Sequence, residues 1–255
     1  MSRLAAVPAR FGWVGAVVAV FWIPGLACSA GPPAGGAPVA DASSGVPVSD
    51  CTVTLSPGTD IQPHIQPDAV ICLGAGRYPG ALRIEVPVTL QADAGAVLDA
   101  EGRGPVVHVA KNGIRVRLRG LTLSGGAADF GAGVLVDSYA EVALDDCALE
   151  GNERGRGGGA GLGAIRGRLL VRNLSAAADQ DVVLDGVTEA AFESSTVAGS
   201  LSVRDGAKVA VRGGQVGRIS LRGTTTRKPE LVLDGVDTPP VDNHPTVPGL
   251  LRQTP

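Results

Sequence analysis

The feature that most constrains this chain is a short segment that recurs. Val116-Arg-Leu-Arg-Gly-Leu-Thr-Leu, Val142-Ala-Leu-Asp-Asp-Cys-Ala-Leu, Ala190-Ala-Phe-Glu-Ser-Ser-Thr-Val and Val209-Ala-Val-Arg-Gly-Gly-Gln-Val align without gaps. Leu169 to Ala176 and Leu231 to Thr238 fit the first half of the same template. The starts are 26, 27, 21, 19 and 22 residues apart. Positions one and three are apolar, position four is charged, and position five is Gly, Asp, Asn or Ser. Alternation at period two predicts a strand, and a small polar residue after it predicts a turn. One strand and one sharp bend every twenty-odd residues is the pattern of a chain that stacks on itself.

Position four runs Arg119, Asp145, Arg172, Glu193, Arg212, Asp234. On parallel neighbouring strands these side chains stand about 4.8 Å apart. Opposite charges side by side then stabilise each pair by a few tenths of a kcal/mol, where like charges would oppose pairing (~0.2–1 kcal/mol). Val182-Val-Leu-Asp-Gly and Ile219-Ser-Leu-Arg-Gly also fit the template, so the register between residues 160 and 222 stays open; they fit equally as second strands of the same repeats. Composition agrees with many small layers, since 44% of residues are apolar but only 3% aromatic. A formal net charge of −3 argues against disorder throughout and gives no reason to expect nucleic-acid binding.

The pattern resembles the pectin-lyase-like right-handed parallel β-helix, over roughly Cys51 to Val236. The residues that carry the likeness are Val70-Ile-Cys-Leu-Gly-Ala-Gly-Arg-Tyr, Val88-Thr-Leu, Val97-Leu-Asp-Ala-Glu-Gly and Gly120-Leu-Thr-Leu-Ser-Gly-Gly. Gly151-Asn-Glu-Arg-Gly-Arg-Gly-Gly-Gly-Ala is similar to a turn of polymorphic outer-membrane and surface β-helix proteins. The resemblance implies an all-β, single-stranded right-handed solenoid of about six or seven rungs over residues 51–238, with Tyr78 as a turn residue. Pro63 and Pro67 interrupt the amphipathic cap helix usual before the first strand of that family.

Residues 1–27 read as a secretory signal: Arg3 and Arg10, no acid, and an apolar run from Phe11 to Ile23. Its Leu26-Ala27-Cys28 end resembles a bacterial lipoprotein signal, with Gly25 where Leu is usual. That resemblance implies lipidation of Cys28, with Ser29 directing outer-membrane sorting. An ordinary signal peptide with an incidental Cys is the competing possibility. Removing Arg3 and Arg10 leaves 20 basic against 25 acidic residues, a mature charge of −5. Residues 28–50, rich in Pro, Gly, Ala and Ser, read as a tether. Residues 239–255, with five Pro, read as a disordered tail.

Beyond the inner membrane disulfides persist, and the spacing of Cys51 and Cys72 suits a staple at the start of the folded part. Cys147 reads as a buried thiol in an apolar-alternating stretch. With no CxxC pair and with His64, His108 and His244 scattered, a zinc site is not expected.

Signs of catalysis are sparse. Enzymes of the resembled superfamily use convergent acids with a basic residue and calcium, or spaced Asp with His-Gly and Arg-Ile-Lys elements. Here Asp145-Asp146 is the sole acidic pair on a repeat strand, and both members already have structural places. Asp179-Gln-Asp181 reads as a solvated turn, and the Gly155–Gly163 run, lacking a P-loop Lys, as a flexible loop. A basic cluster is the better candidate: Arg115, Arg117, Arg154, Arg156, Arg166 and Arg168, set in an acidic protein. Guanidinium groups suit carboxylate, sulfate or phosphate through forked hydrogen bonds. A solvated outer face neutralised by neighbouring strands is the plainer explanation for the same residues. Of the four mature aromatics, Phe192 falls at an inward position, leaving Phe130 and Tyr139 as exposed contacts.

The expectation is an outer-membrane or cell-surface lipoprotein with a non-catalytic structural or interaction module and no cofactor. Its partners would be envelope or extracellular components, with acidic glycan as the candidate ligand, the membrane through the lipid anchor, and no nucleic acid. The rival is a polysaccharide-active lyase or hydrolase, for which alone Ca2+ would be needed.

Overall fold

The computed structural model describes residues 50–187, 189–224, 226–237, 242–243 and 250–254. The signal, Cys28 and the tether up to residue 49 lie outside the described residues. Residue contacts divide the chain into Met1–Val46 and Pro47–Pro255, and all the described strands belong to the second unit.

Among its described residues that unit is all-β, with nineteen strands joined in one sheet and every described pairing between named strands parallel. A single 3-10 turn, Gln62–His64, is the only helical element among the described residues, so none is long and apolar enough to cross a membrane. The pairings fall into three ladders. The first joins Val53–Leu55, Ala69–Leu73, the first halves of Val88–Asp99 and Arg115–Ser124, Glu141–Asp145 and Arg168–Arg172. It continues through residues 189–193, the start of Lys208–Arg222, Glu230–Asp234 and Leu250–Thr254. The second ladder follows it in each repeat, from Gly76–Pro79 to the bridge at Asp237. The third runs from Leu82–Ile84 through Val107–Val109, Val134–Val136, Leu162–Ala164 and Val182–Asp185 to Asp242–Asn243.

Alternation explains the strands and the core together. In the first ladder Val116, Val142, Leu169, Ala190, Val209 and Leu231 stack inward, as do Leu118, Leu144, Val171, Phe192, Val211 and Leu233, all buried. Each fully buried Leu, Ile or Val contributes about 1.5–3 kcal/mol. The repeat starts align residue for residue: Val142 pairs with Val116 and Leu169, Ala190 with Leu169 and Val209, and Leu231 with Val209. The open register closes too, because Val182 pairs with Leu201 and Leu201 with Ile219, in the third ladder.

The fifth template position is the bend from first ladder to second. Gly120, Asp146, Asn173, Ser194, Gly213 and Gly235 all have φ between 49° and 69°. This left-handed region is open to Gly and less costly for Asn and Asp than for other residues, which is why the template admits only small or polar residues there.

Several expectations are corrected. Ten strands line the first ladder where six or seven rungs were expected. The strands at Val53, Ala69, Val88 and Leu250 lack the charge at position four and so escaped the template. The tail is not wholly without structure: Leu250–Thr254 pairs with Glu230–Asp234, and Leu251 packs against the core. The glycine-rich run is not a loop throughout, since Glu153–Gly158 pairs with Ala127–Phe130 in a separate two-stranded sheet. Tyr78 lies in a strand with its ring buried, its hydroxyl 2.9 Å from the Leu55 carbonyl and 3.0 Å from that of Gly74.

The first end is held covalently by a disulfide between Cys51 and Cys72, with Cα atoms 5.7 Å apart. Gln91 donates to Cys72 Sγ at 3.1 Å beside it. Fully buried Ile61, just before the Gln62–His64 turn, joins the core at this end. Cys147 is buried at the bend between Glu141–Asp145 and Ala148–Leu149, where burial pushes its thiol up to about 12.

Candidate functional site

Four of the six arginines named from the sequence come together at the corner where the third ladder turns into the first. Arg115, Arg117 and Arg168 project from the outward face of the first ladder; Arg166 lies in the connection before it. Gly167, at φ +89, lets this connection approach the Ala140 carbonyl so closely that a Cβ would collide with it. Tyr139 sits in the corresponding connection one repeat earlier. Its N–H donates to Asn112 Oδ1 at 2.9 Å and its carbonyl accepts from Gly113, so the backbone is held while the ring stays 57% exposed. The Arg166 guanidinium lies over that ring at 5.4 Å, a cation–π contact that keeps both groups at the surface.

These residues edge an open groove of about 760 Å3, lined by Asp68, Arg115, Arg117, Tyr139, Glu141 and Arg168. A shallower concavity of about 300 Å3 continues it along the strands past Leu170 and Ala191. Three guanidinium groups and two carboxylates, those of Asp68 and Glu141, line the groove. Each of the three also has a carboxylate neighbour: Arg115 and Glu141 at 2.9 Å, Arg117 and Asp145 at 3.5 Å, Arg168 and Glu189 at 2.9 Å.

Arg154 and Arg156 do not join them. Both lie on the side strand Glu153–Gly158, where Arg154 pairs with Asp181 at 2.7 Å; the Arg156 side chain lies outside the described residues. Phe130 is half-buried rather than free, its ring against Gly163. Phe192 is buried as expected. The Asp179–Asp181 turn is more than solvated, because Gln180 is fully buried against Asn152 and Asp181 accepts from Ser200.

The acids are committed to structure. Asp145 is buried between Arg117 and Arg172, at 3.5 and 3.6 Å, and Asp146 accepts from Asn173 at 2.9 Å. Among the described residues no group of three His, Cys, Asp or Glu could hold a metal ion. The arrangement presents an exposed aromatic ring beside guanidinium groups already set on carboxylates, which an incoming anion would have to share or displace.

The repeat template missed the position just before its start. There Arg115, Glu141, Arg168 and Glu189 pair in register, as do Lys208 and Glu230 further along the ladder, giving a second series of alternating sign. Its signal was present in the sequence one residue upstream of each apolar start. Comparison with protein-family models, curated proteins and solved structures gives no match.

Proposed function

We propose that this chain is a lipoprotein of the bacterial cell envelope, anchored through Cys28, whose ladders wind as a right-handed parallel β-helix serving as a non-catalytic surface interaction module. The winding is supported by register: in all three ladders each strand pairs with the one a single repeat later, and the ladders follow one another in constant order. Connections between parallel strands of one sheet are right-handed in nearly all proteins. The anchor is supported by the signal-like residues 1–27 and by a disulfide, which suits an oxidising compartment.

The observation that carries the functional part is the groove of Arg115, Arg117 and Arg168 edged by the Arg166–Tyr139 pair. Its chemistry fits an acidic glycan of the envelope, with guanidinium forks for carboxylate or sulfate and a ring for a sugar face. The test is retention of the full chain on immobilised polygalacturonate and heparin at physiological salt. Tyr139→Ala and Arg166→Ala should each weaken retention severalfold, whereas Arg154→Ala should not. Equal retention of all three variants would remove this ligand class. New reducing ends or unsaturated uronate from the same polysaccharides with calcium would overturn the non-catalytic assignment. Labelled fatty acid that stays on the Cys28→Ala protein would overturn the anchor.

A further inference from the structure

The two charge columns of the first ladder are in phase. Each strand carries one sign at both edges: Arg115 and Arg119, then Glu141 and Asp145, Arg168 and Arg172, Glu189 and Glu193, Lys208 and Arg212, Glu230 and Asp234. The block is bounded by strands that lack charge at these two positions, with Gln91 before it and Leu250 and Thr254 after it, although Arg252 lies between the last two, beside Val232. Between the columns the outward residues are Ala143, Leu170, Ala191, Ala210 and Val232, with Arg117 at one end. Pairing within a column accounts for alternation, but not for six matched strands around an apolar stripe. Val232 on that stripe is 39% exposed.

We propose that this face docks a second copy of the same chain, face to face, with the ladders of the two copies running in opposite directions. Reversing an even series of alternating signs turns every plus into a minus. A two-fold axis parallel to the strands, between the strands that hold Arg168 and Glu189, therefore sets Arg115 against Glu230, Glu141 against Lys208 and Arg168 against Glu189. It likewise sets Arg119 against Asp234, Asp145 against Arg212 and Arg172 against Glu193. At the centre Ala143 meets Ala210 and Leu170 meets Ala191, small enough for sheets that pack about 10 Å apart. The other two-fold arrangement, with its axis along the ladder, places each strand on itself and opposes like charges throughout. Sign alone selects one isologous contact.

Six strands of five residues cover about 450 Å2 on each copy, below the roughly 800 Å2 per partner of standard interfaces. The contact is therefore weak and salt-sensitive. Arg115 and Arg168 also edge the groove, so a second copy and a groove ligand would compete. The dimer does not rest on the ligand assignment, because it is tested without any glycan present.

The test uses the full chain in detergent at low salt. Within one copy Ala143 and Ala210 are three strands, about 14 Å, apart, too far for a disulfide. Mild oxidation of the Ala143→Cys/Ala210→Cys protein should give covalent dimer, and either single variant much less. Arg115→Glu and Glu230→Arg should each cut the yield about tenfold, and the double exchange should restore it. These two residues are five strands apart in one copy, so rescue has no route within a single chain. Circular dichroism of each variant checks that the strands remain. Absence of covalent dimer, equal cross-linking by the single variants, or failure of the double exchange would overturn the proposal.

Discussion

Glu193 is the residue on which the charge ladder can be weighed. It lies 3.1 Å from Arg172 and 3.7 Å from Arg212, and its side chain is 38% exposed. At that exposure solvent screens both pairs, so each is worth about 0.5 kcal/mol. Glu193→Gln removes the two attractions and should cost about 1 kcal/mol. Glu193→Lys replaces them with two repulsions of similar size and should cost about 2 kcal/mol. The assay is urea unfolding of both variants and the parent at 50 mM and 1 M NaCl. The Debye length falls from about 14 Å to about 3 Å across that range, so the gap between Lys and Gln variants should shrink to less than half. A Lys variant no less stable than the Gln variant, or a gap indifferent to salt, would refute the claim that column neighbours interact.

Three other outcomes are expected from the same structure. Cys51→Ala should lower stability by about 3 kcal/mol, from a closed loop of some twenty residues, and should raise hydrogen exchange first in Val53–Leu55 and Ala69–Leu73. Tyr78→Phe leaves the Leu55 and Gly74 carbonyls without their hydroxyl donor and should cost about 1–2 kcal/mol by thermal unfolding. Cys147 keeps its proton in the folded state to about pH 12, against an ordinary 9.0. Its contribution to stability should thus be full below pH 9 and lost as pH rises towards 12, and Cys147→Ala should flatten that loss in unfolding curves.

Much of the first ladder was legible because two independent constraints act on the same residues. Inward Val, Leu and Phe must alternate, and outward charges at 119, 145, 172, 193, 212 and 234 must suit the next strand; a one-residue slip would break both. The bend was legible for a third reason, the left-handed backbone at positions such as Asn173 and Ser194. The third ladder was harder to see. Strands such as Leu82–Ile84 and Val107–Val109 have three residues each, too few to show a period. The side strand Glu153–Gly158 hid because glycine predicts flexibility, while its order comes from pairing with Ala127–Phe130. In the candidate site residue type alone grouped six arginines. Only the pairing register, which seats Arg115, Arg117 and Arg168 on nearby strands of one ladder, separates them from Arg154.

The connections from second ladder to third vary in length far more than the bend before them. They range from Gly217 alone to residues 150–161, while the first-to-second bend stays at one or two residues for every strand from Arg115–Ser124 to Glu230–Asp234. The largest growth of the chain is thus absorbed along one edge, the connections from third ladder to first ranging only from three residues at 165–167 to seven at 223–229. That edge is a natural graft point. A foreign peptide of a dozen residues placed at 198–199 would extend a repeat that now turns in two, as residues 150–161 already do two repeats earlier. Successive grafts would stand about 4.8 Å apart per strand, a display spacing set by backbone hydrogen bonds and independent of what is displayed.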